Sequence, residues 1–227
     1  MLEKQSEELR QKVKRLATQS LRQSDPDGWF EILYTEANGD SKQVPWAKMT
    51  PHPYLENWLQ RQERQVNSRS ALVIGCGLGD DAEALQKRGF KVTAFDISPT
   101  AIAWCQKRFP DSQVNYLVAD LFALAPVWHG AFDFVFECRN IQALPLNVRS
   151  CAIESIGKLV AVGGTLLVIT RVRDANVKVD GPPWPLSEEE LAQFQELGFS
   201  EVRTQSFFDA ENDSVRKLCI EYFRRQQ

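Results

Sequence analysis

ALVIGCGLGDDAEAL, residues 71–85, runs four apolar residues into glycines at 75, 77 and 79, then into two aspartates and a helical pattern. A strand that ends in a glycine turn and opens a helix leaves backbone N–H groups unpaired, a natural place for the charged end of a cofactor. Several cofactors use such a turn, so the rest of the chain has to choose among them. A dinucleotide fingerprint, G-x-G-x-x-G, needs its third glycine where the helix packs close to its strand. Here Gly79 comes one residue early and Asp80 stands in that place. A carboxylate at a helix N-terminus repels a pyrophosphate. It suits S-adenosylmethionine, which has no phosphate, a zwitterionic amino-acid end and a sulfonium cation.

Working outward from this turn, short apolar runs alternate with helical patterns. Strands are expected at ALVI (71–74), KVTAF (91–95), VNYLV (114–118), FDFVF (132–136) and TLLVI (165–169), with helices near 80–88, 99–108, 146–161 and 187–197. Each parallel connection needs a crossover helix, so this alternation specifies a parallel sheet covered on both faces. EVRTQSFFD and VRKLCIEYF, around the turn-forming AENDS, predict an antiparallel hairpin that closes the sheet. The expected fold is therefore α/β: a Rossmann-like, doubly wound, seven-stranded, mostly parallel sheet with a C-terminal antiparallel hairpin. Residues 2–22 place Leu2, Leu9, Val13, Leu16 and Leu21 among charges at helical spacing, predicting an amphipathic helix that SDPDG ends.

The 227 residues are 43% hydrophobic and 25% charged, enough for one sizeable core and short for two. One domain over 1–227 is expected, with a helix and covering segment in 1–60 and the Rossmann-like core in 61–227. Net charge is −3, so no overall basic field favours nucleic acid or an anionic membrane. Five cysteines without a C-x-x-C pair suit a reducing cytosol, and two histidines leave few ligands for a transition metal. No apolar run reaches membrane length. The expectation is a cytoplasmic protein without a metal, a membrane or a nucleic-acid partner, acting on a small molecule; a monomer is the working assumption.

Two acids fall where an adenosine needs them. Asp96 ends the second strand, 21 residues after Gly75, where a carboxylate accepts from a ribose diol. Asp120 follows the third strand, in reach of an adenine amino group. An acid at a strand end is also a common helix cap, but both lie at the C-terminal edge of the sheet beside the glycine turn, where ligands bind. Here the chain resembles the class I S-adenosylmethionine-dependent methyltransferases, through GCGLG, FDIS, VADLF, FDFVFE and GGTLLV, in that order over residues 71–171. The resemblance implies S-adenosylmethionine as methyl donor, held by Gly75, Cys76, Gly77, Gly79 and Asp80 of the turn, by Asp96, Ile97 and Ser98, and by Asp120 and Leu121. Val73 departs from the acid that many members of the class carry before the turn.

Outside the core, GWFEILY (28–34), VPWAKMTPHPYLENWL (44–59) and GPPWPLSEEEL (181–191) resemble the thiopurine S-methyltransferase and thiol/halide methyltransferase group, in which an apolar residue at the Val73 position is common. That resemblance implies an N-terminal segment over the cofactor, a GPP segment near the acceptor, and a small polarizable nucleophile as acceptor: a thiol, a selenol or a halide. Trp29 and Trp46 then either pack as a lid or cover the sulfonium by cation–π attraction. After strand four, Glu137 is placed to accept from the methionyl amine, with Arg139 and Gln142 facing the acceptor and Trp184 walling it. Arg139 is equally readable as half of a structural ion pair, Cys138 as a filler and His52 as a loop residue. Ser187 with Glu190 reads as a capping box.

Other classes remain open at this point. O- or N-methylation of a small molecule needs only a different acceptor. A nicotinamide oxidoreductase must tolerate Asp80 beside a pyrophosphate, and an adenosylmethionine sensor would bind without turnover.

Overall fold

The computed structural model describes residues 2–23, 25–62, 68–174, 177, 179, 181–207 and 216–226. Among these, seven α-helices and seven strands form three layers. The strands are β1 (Ser70–Ile74), β2 (Lys91–Asp96), β3 (Asn115–Val118), β4 (Phe132–Cys138), β5 (Val160–Arg171), β6 (Phe199–Phe207) and β7 (Lys217–Arg224), in the order β3-β2-β1-β4-β5-β7-β6. The helices are α1 (Leu2–Arg22), α2 (Trp29–Ala37), α3 (Pro53–Arg61), α4 (Asp80–Lys87), α5 (Pro99–Arg108), α6 (Arg149–Leu159) and α7 (Glu188–Glu196).

Strands β1 and β4 are buried on both faces, which is why SALVI and FDFVFEC read as near-continuous apolar runs. Alternate residues then separate into two cores. Ala71, Val73, Phe134, Phe136, Leu167 and Ile169 join Leu55 and Trp58 of α3, Ala82 and Leu85 of α4, and Ile102 of α5. Leu72, Ile74, Val135, Leu166 and Val168 face Ile153, Ile156 and Leu159 of α6 and Leu191 and Phe194 of α7.

The expected mixed sheet is present, with one refinement: β7 is inserted between β5 and β6, antiparallel to both, so β6 is the outer strand. The AENDS turn itself lies outside the described residues. The fifth strand is longer than TLLVI and the sixth helix shorter than 146–161. Val160–Gly164 belong to the strand, because Gly163 takes φ +76° and a Cβ at Gly164 would lie 2.8 Å from Ala161 O. These glycines accommodate the register shift that lets Phe132 pair with Val160. At the other end of α6, Leu146–Val148 form a separate 3-10 turn.

Helix α1 packs on α2 through Val13, Leu16 and Ala17 against Trp29 and Leu33. Leu21, expected on that apolar face, is instead 37% exposed; Ser20 fills the i+7 position from Val13 and its hydroxyl donates to Asp25 O at 2.5 Å. No helix among the described residues is long and apolar enough to cross a membrane.

Candidate active site

Strands β1, β2, β3 and β4 end along one edge of the sheet, and the turns leaving them define a cleft. The first turn is Gly75–Gly79. Gly75, Gly77 and Gly79 all have positive φ (+55°, +55° and +88°), and side chains there would meet Asn140 Oδ1 at 1.9 Å, Tyr34 Oη at 3.2 Å and Tyr116 Oη at 2.6 Å. Glycine is required at 75 and 79 by both space and conformation. Cys76 donates its N–H to Phe95 O, and its side chain packs beside Cys105, whose thiol points to Gly77 O.

Asp96, at the end of β2, is 6% exposed and accepts from Gly77 N at 2.9 Å and Ser98 N at 3.0 Å. It therefore ties the glycine turn to the next loop while keeping spare lone pairs for hydroxyl donors. Burial pushes its carboxyl up to about 6. Ser98 caps α5 by accepting from Ala101 N, and Ile97 is half-buried beside it. Asp120 accepts from Phe122 N, and half-buried Leu121 follows it. Asp120 also helps raise the carboxyl of Asp27, which burial lifts to about 6.

Glu137 is wholly buried where β4 ends. Its Oε1 accepts from Asn140 N at 2.6 Å and Ile141 N at 3.1 Å, while Oε2 has no partner among the described residues. Burial lifts this carboxyl to about 7. A second buried orphan is the indole N–H of Trp29, which is 1% exposed. Ala143, three residues beyond Asn140, packs against the apolar cluster that contains Trp29. Trp46 is differently engaged: its Nε1 donates to Tyr34 Oη at 2.8 Å, and its ring lies about 3.9 Å from where a Cβ at Gly77 would be. Helix α2 is fastened over the cleft by Glu31, which accepts from Ser98 Oγ at 2.5 Å, Thr100 Oγ1 at 2.6 Å and Thr100 N at 3.1 Å.

Three residues named from sequence have structural duties. Asp80 does not face the cleft as a free acid. Arg108 clamps it at 2.8 and 2.9 Å, so its charge is neutralised by α5. Gln142 is buried, with Oε1 accepting from Arg171 N at 2.7 Å and its carbonyl accepting from Trp184 N at 2.7 Å. Trp184 is buried too, and its carbonyl accepts from Arg149, itself buried and paired with Glu190 at 2.8 Å. Gln142 thus pins the GPPW wall to the end of β5. The Ser187–Glu190 capping box is formed. Of the polar stretch before GPPW, residues 175, 176, 178 and 180 lie outside the described residues.

The acids surrounding the cleft fit a cationic guest. Asp96, Glu137 and Asp27 are all held above their ordinary range, first by burial, with Glu31 adding to the rise at Asp96 and Asp120 and Asp25 to that at Asp27; an incoming cation favours their charged forms and a phosphate disfavours them. The orphaned acceptor of Glu137 and the orphaned donor of Trp29 match the ammonium and carboxylate of an α-amino acid. S-adenosylmethionine has that end and a sulfonium; a pyrophosphate cofactor has neither.

The model of the thiopurine S-methyltransferase family matches residues 36–226. The chain belongs to that family. It is accordingly an S-adenosylmethionine-dependent methyltransferase of the thiopurine/thiol methyltransferase type. Among its relatives, "Probable thiol methyltransferase 2" of Arabidopsis thaliana is 27% identical over 191 residues, covering 79% of this chain and 82% of the relative. A thiopurine S-methyltransferase of Legionella pneumophila is 26% identical over 166 residues, covering 66% and 75%. Of solved structures, the N-methyltransferase NodS of Bradyrhizobium japonicum, in complex with S-adenosylhomocysteine, superposes with a TM-score of 0.66 at 22% identity, covering 87% of this chain and 98% of NodS. That likeness establishes the Rossmann-like fold.

Sequence reasoning missed Tyr34, Glu31 and Asp81. Asp81 lies in the first turn of α4. Its Oδ1 accepts from His52 N at 2.7 Å, and Arg139 lies close enough to pull its carboxyl down against the burial that lifts it to about 6. Arg139 takes a positive φ of +67° just past β4. Beside His52, the rings of Tyr54 and Phe207 stack at 4.1 Å, with His52 5.9 Å from Tyr54 and 6.5 Å from Phe207.

Proposed function

We propose that this protein methylates a small, polarizable nucleophile, a thiol, selenol or halide, at the mouth lined by Arg139, Asp81, Tyr54 and Phe207. The observation that carries this reading is the Tyr54–Phe207 aromatic pair beside His52, whose backbone N–H donates to Asp81, with the Arg139 charge felt at that same carboxylate. A fixed cation compensates an anionic acceptor, and apolar rings strip its water, which favours large, weakly hydrated nucleophiles. The relatives named as thiol and thiopurine methyltransferases support it.

The methyl donor supplies an activated electrophilic carbon. The chain's residues align and shield. Asp96 takes the ribose hydroxyls, with Ile97, Leu121 and Asp120 at the adenine. Glu137 Oε2 takes the ammonium and Trp29 Nε1 the carboxylate. Trp46 and Tyr34 close over the glycine turn, and Gln142 holds the Trp184 wall against the acceptor side. Alignment of this kind supplies several kcal/mol, about 7 or more in favourable intramolecular systems.

Purified protein with S-adenosylmethionine and a panel of thiols, a thiopurine, a selenol, iodide, phenols and amines tests the reading through S-adenosylhomocysteine formation. Turnover confined to the sulfur, selenium and iodide acceptors is expected. Turnover confined to phenols or amines contradicts it.

A further inference from the structure

Asn140 lies just past β4 and touches both the glycine turn and Glu137. Its backbone N–H donates to Glu137 Oε1 at 2.6 Å. Its side-chain Nδ2 donates to Ile74 O, at the end of β1, at 2.8 Å, and reaches Cys138 O at 3.4 Å. Two carbonyls on one side of the amide fix its orientation, because only the NH2 group can face them. Oδ1 is therefore turned away from them, and it lies 1.9 Å from where a Cβ on Gly75 would be, against the first residue of the turn. The side chain is half-buried, and it helps hold the Glu137 carboxyl down against burial. Glu137 Oε2, wholly buried, has no partner among the described residues. An orphaned carboxylate oxygen and an amide oxygen are thus offered by two residues that are bonded to each other, at the point where β1 gives way to the glycine turn.

We propose that Asn140 is a cofactor-binding residue, its Oδ1 accepting an N–H of the S-adenosylmethionine ammonium beside Glu137 Oε2. The inference rests on the placement of that ammonium at Glu137 and goes beyond it by assigning the amide. An ammonium carries three N–H donors, and each one buried without an acceptor is costly. One carboxylate oxygen satisfies only one of them. An amide oxygen supplies a further acceptor without the desolvation cost of a second buried carboxylate. Nδ2 meanwhile ties the end of β1 to the end of β4, so one side chain both builds the pocket and reads the amino group.

The test is calorimetric affinity for S-adenosylhomocysteine, for its deamino analogue with hydrogen in place of the amino group, and for 5′-methylthioadenosine, which lacks the amino-acid end. Wild type is compared with Asn140→Ala, Asn140→Asp and Glu137→Gln. The wild type prefers S-adenosylhomocysteine over the deamino analogue. In Asn140→Ala that preference falls about tenfold, while affinity for 5′-methylthioadenosine stays within about threefold. Asn140→Asp keeps an oxygen at the Oδ1 position and restores the preference, although it loses the Nδ2 bond to Ile74 O. A role confined to propping the turn predicts instead that all three affinities fall by one common factor in both Asn140 variants, and that result overturns the inference. A preference unchanged in Asn140→Ala but reduced in Glu137→Gln also overturns it, alone. A preference unchanged in both overturns it together with the placement of the ammonium at Glu137.

Discussion

Replacing Glu137 by glutamine should make the cofactor-free protein more stable and the cofactor complex weaker. Glu137 is wholly buried, and its carboxyl sits at about 7 against an ordinary 4.5. A carboxyl whose folded value is raised binds its proton more tightly when folded. Its contribution is full below about 4.5, is lost as pH rises to about 7, and is constant above that. The loss corresponds to about 3 kcal/mol. Glu137→Gln preserves the Oε1 acceptor for Asn140 and Ile141 and abolishes the ionisation. Urea denaturation without cofactor should show the variant more stable by about 3 kcal/mol at pH 8, by about 1 kcal/mol at pH 5, and nearly equal to wild type at about pH 4. The ammonium of S-adenosylhomocysteine, however, loses a charge-assisted bond worth about 1.5–3 kcal/mol, so calorimetry should show affinity reduced about 10- to 100-fold. A stability difference independent of pH, or an unchanged affinity, would refute the assignment of the orphaned oxygen.

Further outcomes follow from neighbouring geometry. Gly79→Ala places a methyl 2.6 Å from Tyr116 Oη at φ +88°; thermal unfolding should show a loss of about 2–3 kcal/mol, and S-adenosylhomocysteine binding should fall with it. Glu31→Ala removes the acceptor shared by Ser98 and Thr100, so hydrogen exchange in α2 should accelerate by about one to two orders of magnitude, while β1 and β4 remain protected. Asp27 is lifted to about 6, first by burial and then by Asp120. Its contribution is lost as pH rises through that value, and Asp27→Asn should flatten the corresponding decline in stability between pH 4 and 7.

The strands were legible because burial on both faces of a parallel sheet leaves an unmistakable mark: ALVI, KVTAF and FDFVF appear within a few residues of their observed limits. The glycine turn was legible for a related reason, since a strand that breaks off in glycines before a helical pattern marks the change of direction from β1 to α4, and Asp96 was legible as the acid that ends β2. Insertion of β7 between β5 and β6 was not, because two adjacent β-patterns specify a hairpin but not which arm pairs with the sheet. Asp80 misled because its neutralising partner, Arg108, is 28 residues distant. The fastening of α2 by Glu31 to Ser98 spans 67 residues and leaves no local pattern at all. Gln142 and Trp184 were read as facing the acceptor, whereas Gln142 Oε1 and Trp184 N are engaged in holding main chain.

The central claim is that the cleft beyond β1, β2 and β4 holds the methyl donor through Asp96 at the ribose and Glu137 with Trp29 at the amino acid. A crystal structure of the complex with S-adenosylhomocysteine tests it most directly. The account predicts ribose hydroxyls within about 3 Å of Asp96 and the amino nitrogen within about 3 Å of Glu137 Oε2. A complex in which Glu137 Oε2 stays unpaired, or in which the amino acid lies away from the end of β4, would contradict it.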